Sequence, residues 1–245
     1  MSLTSYGVRL ERVHLVIESI GRGSLRPSRV VLWLGPQVDP EALPRRLKRL
    51  CGRGLQIRSS PWDIRSHNKY FPMVHFEDPV GPLVTADDDV FYPRWWLRRL
   101  VDAAAESPDD VVGHRVRLVK VDRDGSPAPY EGWHLTTSTE GRTRHFATGS
   151  AGALYPVAVQ EALRASGRSF IDRCPTADDI WLHHVTLLSG SKVRQVGPRA
   201  RTFLEVPGTQ STALNHDNTA AGGNDRQVAS TYDAHTLDLI RSDVP

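Results

Sequence analysis

Cysteine is nearly absent: Cys51 and Cys174 are the only two in 245 residues. That excludes a disulfide framework and makes a reducing compartment the expectation. Long apolar runs are missing too. No stretch reaches the roughly 18 residues that a membrane-spanning helix needs. The opening residues carry neither the basic region nor the apolar core of a secretory leader, so none is expected. An excess of one charge is lacking, since 31 lysines and arginines face 28 aspartates and glutamates, for a net charge of +3. So even a balance, with cations spread along the chain, does not describe a nucleic-acid binder. It suits phosphate-bearing ligands or an anionic membrane face. No H-E-x-x-H or C-x-x-C pattern occurs, which argues against structural zinc, and there is no internal repeat.

What is present alternates. SLTSY (2–6) reads as a strand. RVHLVIESI (12–20) places apolar residues at 13, 16, 17 and 20, the spacing of one helix face. RVVLWLG (29–35) is a compact strand, EALPRRLKRLCGRG a basic helix ended by glycine, and LQIRS a strand. SHNKYFPMVHF predicts a short helix broken near Pro72. PLVTA (82–86) reads as a buried strand, and RWWLRRLVDAAAE as a helix with Pro93 in its first turn, where proline is tolerated. This alternation over the first 115 residues predicts a mostly parallel sheet with helices on both faces. Ligands of such sheets bind outside the carboxyl ends of the strands.

The second half loses that rhythm. RVRLVKVD (115–122) reads as a strand, and FATGSAGALYP as a glycine-rich turn entering one. TADDIWLHHVTLLSG (176–190) reads as a helix ended by Gly190, and SKVRQV as a short strand. The polar, aperiodic stretch within 123–147 predicts a mobile functional loop. The polar tail is expected to close over a site. These pieces have no core of their own, so one α/β domain over 1–245 is expected.

The chemistry concentrates in VTADDDVFYPRWW (84–96). On an extended backbone residues i and i+2 share a face, so Asp87 and Asp89 would converge while Asp88 faces away. Converging carboxylates are costly unless a cation neutralises them. Mg²⁺ and Mn²⁺ prefer oxygen ligands, and Mg²⁺ takes one or two carboxylates plus substrate phosphates. The pattern therefore suggests a metal–diphosphate site, against the plainer alternative of a solvated acidic turn before a helix. In TADDIW, Thr176 followed three residues later by Asp179 is a pattern like a capping box; the competing reading makes one carboxylate a general base. His183 and His184 are adjacent on a helix and cannot share one metal from one face. They read as core-edge or surface residues. Trp95 and Trp96 point apart on their helix, so at least one is core. Trp133, in the polar stretch before the glycine turn, is the candidate acceptor platform.

The strand–D-D-D–YPRWW arrangement resembles the D-x-D region of bacterial GT-A glycosyltransferases of the family-2 type. Other segments resemble that fold in the same order: SLTSYGVRLERVHLVIESI, SRVVLWLG, LPRRLKRL with GLQIR, DIRSHNKYFPM, TGSAGALYP and CPTADDIWL. Together they span about residues 2–196. The resemblance implies a single Rossmann-like domain. Its 1–115 half would bind nucleotide-sugar, 116–200 would bind the acceptor, and 201–245 would form the closing tail. It implies a UDP-sugar-like donor, Mn²⁺ or Mg²⁺, and transfer with inversion to a hydroxyl of a saccharide or glycolipid. It also implies polysaccharide assembly at the cytoplasmic face of a membrane, with peripheral association. By the same resemblance Thr4, Ser5, Tyr6 and Arg9 lie near the base, and Asp63, Arg65 and Lys69 line the nucleotide pocket, where cations suit a diphosphate. Asp87 approaches the ribose. Asp88 meets the donor sugar, or the metal through water. Asp89 holds the metal with Asp87, and His216 joins them. Gly149 and Gly152 form the acceptor-side turn. Asp179, in preference to Asp178, is the base. The sequence departs from the pattern at Asn68, where a second basic residue is usual, and at Ser150-Ala151, where the turn is usually richer in glycine.

Three alternatives remain at this level. A haloacid-dehalogenase-type phosphatase would want Thr or Val at the position of Phe91. A sugar nucleotidyltransferase would open on a glycine-rich basic loop, but SLTSYGVRL has one glycine. A binder of anionic polymer would gather its cations in one patch.

Overall fold

A computed structural model of the chain describes residues 1–209 and 222–243. Seven strands build the central sheet: β1 (Ser2–Thr4), β2 (Val30–Leu34), β3 (Leu55–Ser59), β4 (Leu83–Thr85), β6 (Val111–Gly113), β9 (Ala153–Tyr155) and β10 (Val193–Gln195). Two short strands, β5 (Val90–Phe91) and β11 (Leu204–Glu205), pair with each other, as do β7 (Val116–Leu118) and β8 (His145–Ala147). The central order is β10-β6-β9-β4-β1-β2-β3. β9 runs antiparallel to both neighbours, and every other pairing is parallel.

The strands are short but consistent in facing. Along β2, Val31 and Trp33 enter one core while Leu32 and Leu34 enter the other. Leu83 and Val84, Val111 and Val112, and Tyr155 and Leu154 divide the same way, as the period of two requires. The helices α1 (Val13–Gly21), α2 (Arg45–Cys51) and α4 (Trp96–Glu106) supply one core. The buried residues of α1 are Val13, Val16, Ile17 and Ile20 beside His14, and those of α4 are Trp96, Leu97, Leu100 and Ala103. Both sets follow the i, i+3, i+4 spacing of an amphipathic helix. The other core takes α3 (Phe71–Phe76), α5 (Val157–Ala165), α6 (Phe170–Arg173) and α7 (Asp178–Leu188). The tail adds α8 (Gly223–Thr231) and α9 (Ala234–Arg241), which pack on α7.

Several sequence expectations need correction. Pro72 does not break a helix but stands in the first turn of α3, where its missing N–H costs nothing. α4 starts at Trp96 rather than at Pro93; Trp96 N–H reaches the Pro93 carbonyl at 2.9 Å. The strand expected over 115–122 shrinks to β7. The stretch 123–147 is not a loose loop. Trp133 is 1% exposed, donates from Nε1 to the Ala128 carbonyl at 2.9 Å and packs against Tyr130 and Phe146. That burial also removes Trp133 as a sugar-stacking platform, because both faces of the indole are already in the core.

Candidate active site

β1 and β4 are parallel neighbours, and their carboxyl ends open on a cleft of about 800 Å³. β4 ends at Thr85, and Asp87, Asp88 and Asp89 follow before the chain turns into β5. All three line the cleft. Because the strand has ended, simple alternation does not govern them. Asp88, expected to face away, is the most buried of the three and pairs with Arg9 at 2.7 Å. The other guanidinium nitrogen of Arg9 reaches Asp89 at 3.0 Å, and Lys69 Nζ reaches Asp87 at 2.5 Å. Burial pushes Asp88 above the usual carboxylate range, against the pull of Arg9 and the Ser5 hydroxyl. Burial, reinforced by Asp87, pushes Asp89 up to about 6. Burial opposes the charge on Arg9, and Asp88 and Asp89 outweigh it, so its pKa rises.

A second acidic pair arrives from the other half of the chain. Asp178 and Asp179 open α7. Thr176 does not cap that helix. Ala177 occupies the N-cap with no side-chain cap bond, and Thr176 is bonded to Gln227 of α8 through its backbone N–H and its hydroxyl, each at 2.9 Å. The capping reading of TADDIW therefore fails. Asp178 pairs with Lys69 at 3.1 Å, so one fully buried ammonium joins Asp87 to the α7 pair. Burial works against that ammonium, but Asp178 and Asp87 outweigh it and hold its pKa well above the ordinary value. Asp179 accepts a hydrogen bond from the Gly149 N–H at 2.9 Å through Oδ2, while its buried Oδ1 has no hydrogen-bond partner. Burial first, then Asp178, pushes its pKa up to about 7. A helix N-terminus ordinarily favours a carboxylate's charge; here desolvation wins.

The glycine turn is shaped around this carboxylate. A Cβ at Gly149 would stand 2.6 Å from Asp179 Oδ1 and 3.1 Å from Lys69 Nζ. Gly152 lies elsewhere. Its φ is +75°, and a Cβ there would strike Trp96 at 2.5 Å, while Trp96 Nε1 donates to the Ala151 carbonyl at 2.8 Å. Gly152 serves the turn's packing and does not line the cleft, contrary to its expected acceptor role.

The remaining candidates divide clearly. Thr4, Tyr6, Arg9, Arg65 and Lys69 line the cleft. Ser5 does not; it is buried behind the acid run against Asp88. Asp63 is exposed and outside the lining, because the chain turns away before it re-enters at Arg65. Asn68 is buried and donates to the Trp62 carbonyl at 3.4 Å. His216 lies outside the described residues. His183 bonds the Tyr232 hydroxyl at 2.6 Å and His184 the Thr236 hydroxyl at 2.8 Å, so both are core residues tying the tail helices to α7. Sequence reasoning missed Arg115, Arg117, Tyr130, Thr148 and Glu205, which also line the cleft. The only signal was the basic–apolar alternation of RVRLV.

Three adjacent carboxylates face one guanidinium and an ammonium shared with Asp178, and Asp88 Oδ2 is buried without a hydrogen-bond partner. The set is all oxygen. Among the described residues no three histidine, cysteine or carboxylate side chains form a ready-made cage. A hard cation that takes one or two carboxylates and completes its shell with phosphate oxygens fits these residues.

Comparison with solved structures gives the fold. The crystal structure of S. aureus TarS 1-349 matches at a TM-score of 0.57 with 11% identity, covering 97% of this chain and 68% of that one. A second TarS crystal structure matches at 0.55 with 12% identity, over 96% of this chain and 40% of that one. TarS 1-349 in complex with UDP matches at 0.54 with 12% identity, over 98% and 69%. The chain shares the fold of these TarS structures, a mixed α/β domain on a seven-stranded, mostly parallel sheet. No protein-family model matches the chain, and no curated protein matches it in sequence. No described helix is long and apolar enough to cross a membrane.

Proposed function

We propose that the protein is a divalent-metal-dependent glycosyltransferase that moves a sugar from a UDP-sugar to a hydroxyl of a saccharide or glycolipid, with inversion. One observation carries the reading: a buried carboxylate with a pKa of about 7, Asp179, shares a cleft with the acid run at the end of β4. The UDP-bound TarS structure of similar fold supports the choice of nucleotide.

Thr4 and Tyr6 lie at the end of β1, where a nucleotide base would rest, and Arg65 stands beside them in the lining. Asp87 and Asp89 would hold Mn²⁺ or Mg²⁺, with Asp88 and Arg9 fixing the run from beneath. When bound, that ion would neutralise the charge that develops on the departing diphosphate. Asp179, which lines the cleft, takes the proton of the acceptor hydroxyl. The hydroxyl oxygen then bonds to the anomeric carbon, and the bond to the nucleotide diphosphate breaks on the opposite face, which inverts the configuration. A base with pKa near the working pH gives the best balance of availability and strength. The Gly149 N–H and Lys69 keep Asp179 oriented and partly compensated.

UDP calorimetry with Mn²⁺ and with EDTA tests the donor half. UDP should bind at least about tenfold more tightly with the metal, since the three carboxylates of the run outnumber the two cations paired with them and would repel a diphosphate. Equal affinity in EDTA overturns the metal role. Product with the donor's anomeric configuration overturns the role of Asp179.

A further inference from the structure

The cations of the cleft are not equally satisfied. Arg9 holds two carboxylates, Asp88 and Asp89, and Lys69 holds two, Asp87 and Asp178. Arg115 and Arg117 line the same cleft, and among the described residues neither has a carboxylate within ion-pair distance. Both are nonetheless fixed in place. They sit two residues apart, Arg115 just before β7 and Arg117 within it, and both face the cleft. Arg115 donates to the Thr148 hydroxyl at 3.2 Å, beside the glycine turn that holds Asp179. Arg117 donates to the Trp133 carbonyl at 2.9 Å, and its guanidinium stands 5.1 Å from the centre of the Tyr130 ring. The Arg117 Nε–H is buried and has no hydrogen-bond partner. Burial, together with Arg117, makes the charge on Arg115 harder to keep. Two oriented guanidinium groups in one cleft, with no carboxylate in ion-pair distance among the described residues, suit an anion. Guanidinium forks match carboxylate and phosphate oxygens in geometry.

We propose that Arg115 and Arg117 form an acceptor subsite for an anionic group, a carboxylate or a phosphate carried by the acceptor near the hydroxyl that reacts. Thr148 and Gly149 are consecutive, so an anion held at Arg115 brings its neighbouring hydroxyl toward Asp179. This rests on the glycosyltransferase reading for the word acceptor; the anion subsite itself does not depend on it.

The test titrates three probes into the full chain, alone and with UDP and Mn²⁺: methyl β-glucuronide, glycerol 3-phosphate and the neutral methyl β-glucoside. Binding is followed by ligand-observed NMR. An anionic probe should bind at least about tenfold more tightly than the neutral one, the scale of a charge-assisted contact. Arg115→Gln should abolish that preference while UDP affinity and melting temperature hold. Arg115→Lys should retain part of it. Arg117→Gln should act in the same direction; because Arg117 also holds the Trp133 carbonyl, its result is read beside the Arg115 pair. Whichever anion wins, carboxylate or phosphate, names the group. Equal binding of the neutral and both anionic probes overturns the proposal, as does an anion preference that survives Arg115→Gln. If UDP fails to bind while the anion preference persists, the donor reading falls and the subsite stands.

Discussion

The two acidic clusters of this chain look alike in sequence and differ in surroundings. Asp87–Asp89 follow a buried strand, and Asp178–Asp179 open a helix. The first group meets Arg9 directly from below, and its pairs with Arg9 and Lys69 run from 2.5 to 3.0 Å. In the second, Lys69 pairs with Asp178 alone, at 3.1 Å, and Asp179 receives only a backbone N–H. Arg9 and Lys69 between them pair with all three carboxylates of the run. Asp179 is buried beside Asp178 with no ion-paired cation among the described residues, and burial first, then Asp178, raises its pKa to about 7. What separates the two clusters is the set of partners that the fold delivers to each carboxylate, and not the residue type.

Exchanging the acid for its amide at both clusters should give the largest contrast. Asp179→Asn should lower turnover by about 10²–10⁴-fold and leave UDP affinity unchanged. Asp89→Asn should weaken UDP binding in the presence of Mn²⁺. If Asp179→Asn keeps more than about a tenth of wild-type turnover, given the lower end of that range, the contrast between the clusters collapses.

A smaller effect should come from the turn. Gly149→Ala places a methyl 2.6 Å from Asp179 Oδ1, too close for the carboxylate to stay where it is. Displacing the carboxylate by a fraction of its length should cost turnover on the order of 10–100-fold, with UDP affinity retained. Steady-state kinetics beside calorimetry separates the two. A Gly149→Ala enzyme of full activity would mean that Asp179 tolerates movement and is not the reacting group.

The smallest effect is on stability against pH, and its sign follows from the raised pKa. Unfolded, Asp179 titrates near 3.8; folded, near 7. Between those values the folded state holds the extra proton, so stability is greatest below the lower value and is lost as pH rises through the upper one. Asp179→Asn removes this loss. Its melting temperature should exceed that of the wild type, by a margin that widens from pH 5 to pH 8. Turnover of the wild type should rise through about pH 7 as the base loses its proton. A margin that stays flat from pH 5 to pH 8 would show that Asp179 is ionised throughout.

Much of the first half was legible because each element there satisfies its own period. Val13, Val16, Ile17 and Ile20 mark α1, and the apolar run of β2 marks a strand buried on both faces. The second half was not, because its elements answer to partners far along the chain. β6 is three residues long and is held by β9 and β10. α5 and α6 carry no signal that stands out along the chain, and the polar tail hides two helices whose anchors are His183 and His184. The stretch 123–147 looked like a loop because a single tryptophan and a single phenylalanine fix it. Aperiodic segments held by one or two buried anchors give no pattern to read.

The sequence by itself determined the α/β sheet, the acid run at a strand end and the acidic start of α7, because local spacing sets which way side chains face. Only the tertiary structure decided which acids meet. Lys69 bridges Asp87 and Asp178, and Gly149 reaches Asp179 from 30 residues away. It also buried Trp133, withdrew Gly152 and Asp63 from the cleft, and brought Arg115 and Arg117 into it. Those outcomes depend on long-range burial and on how charges share partners, and neither is encoded in the period of any one segment.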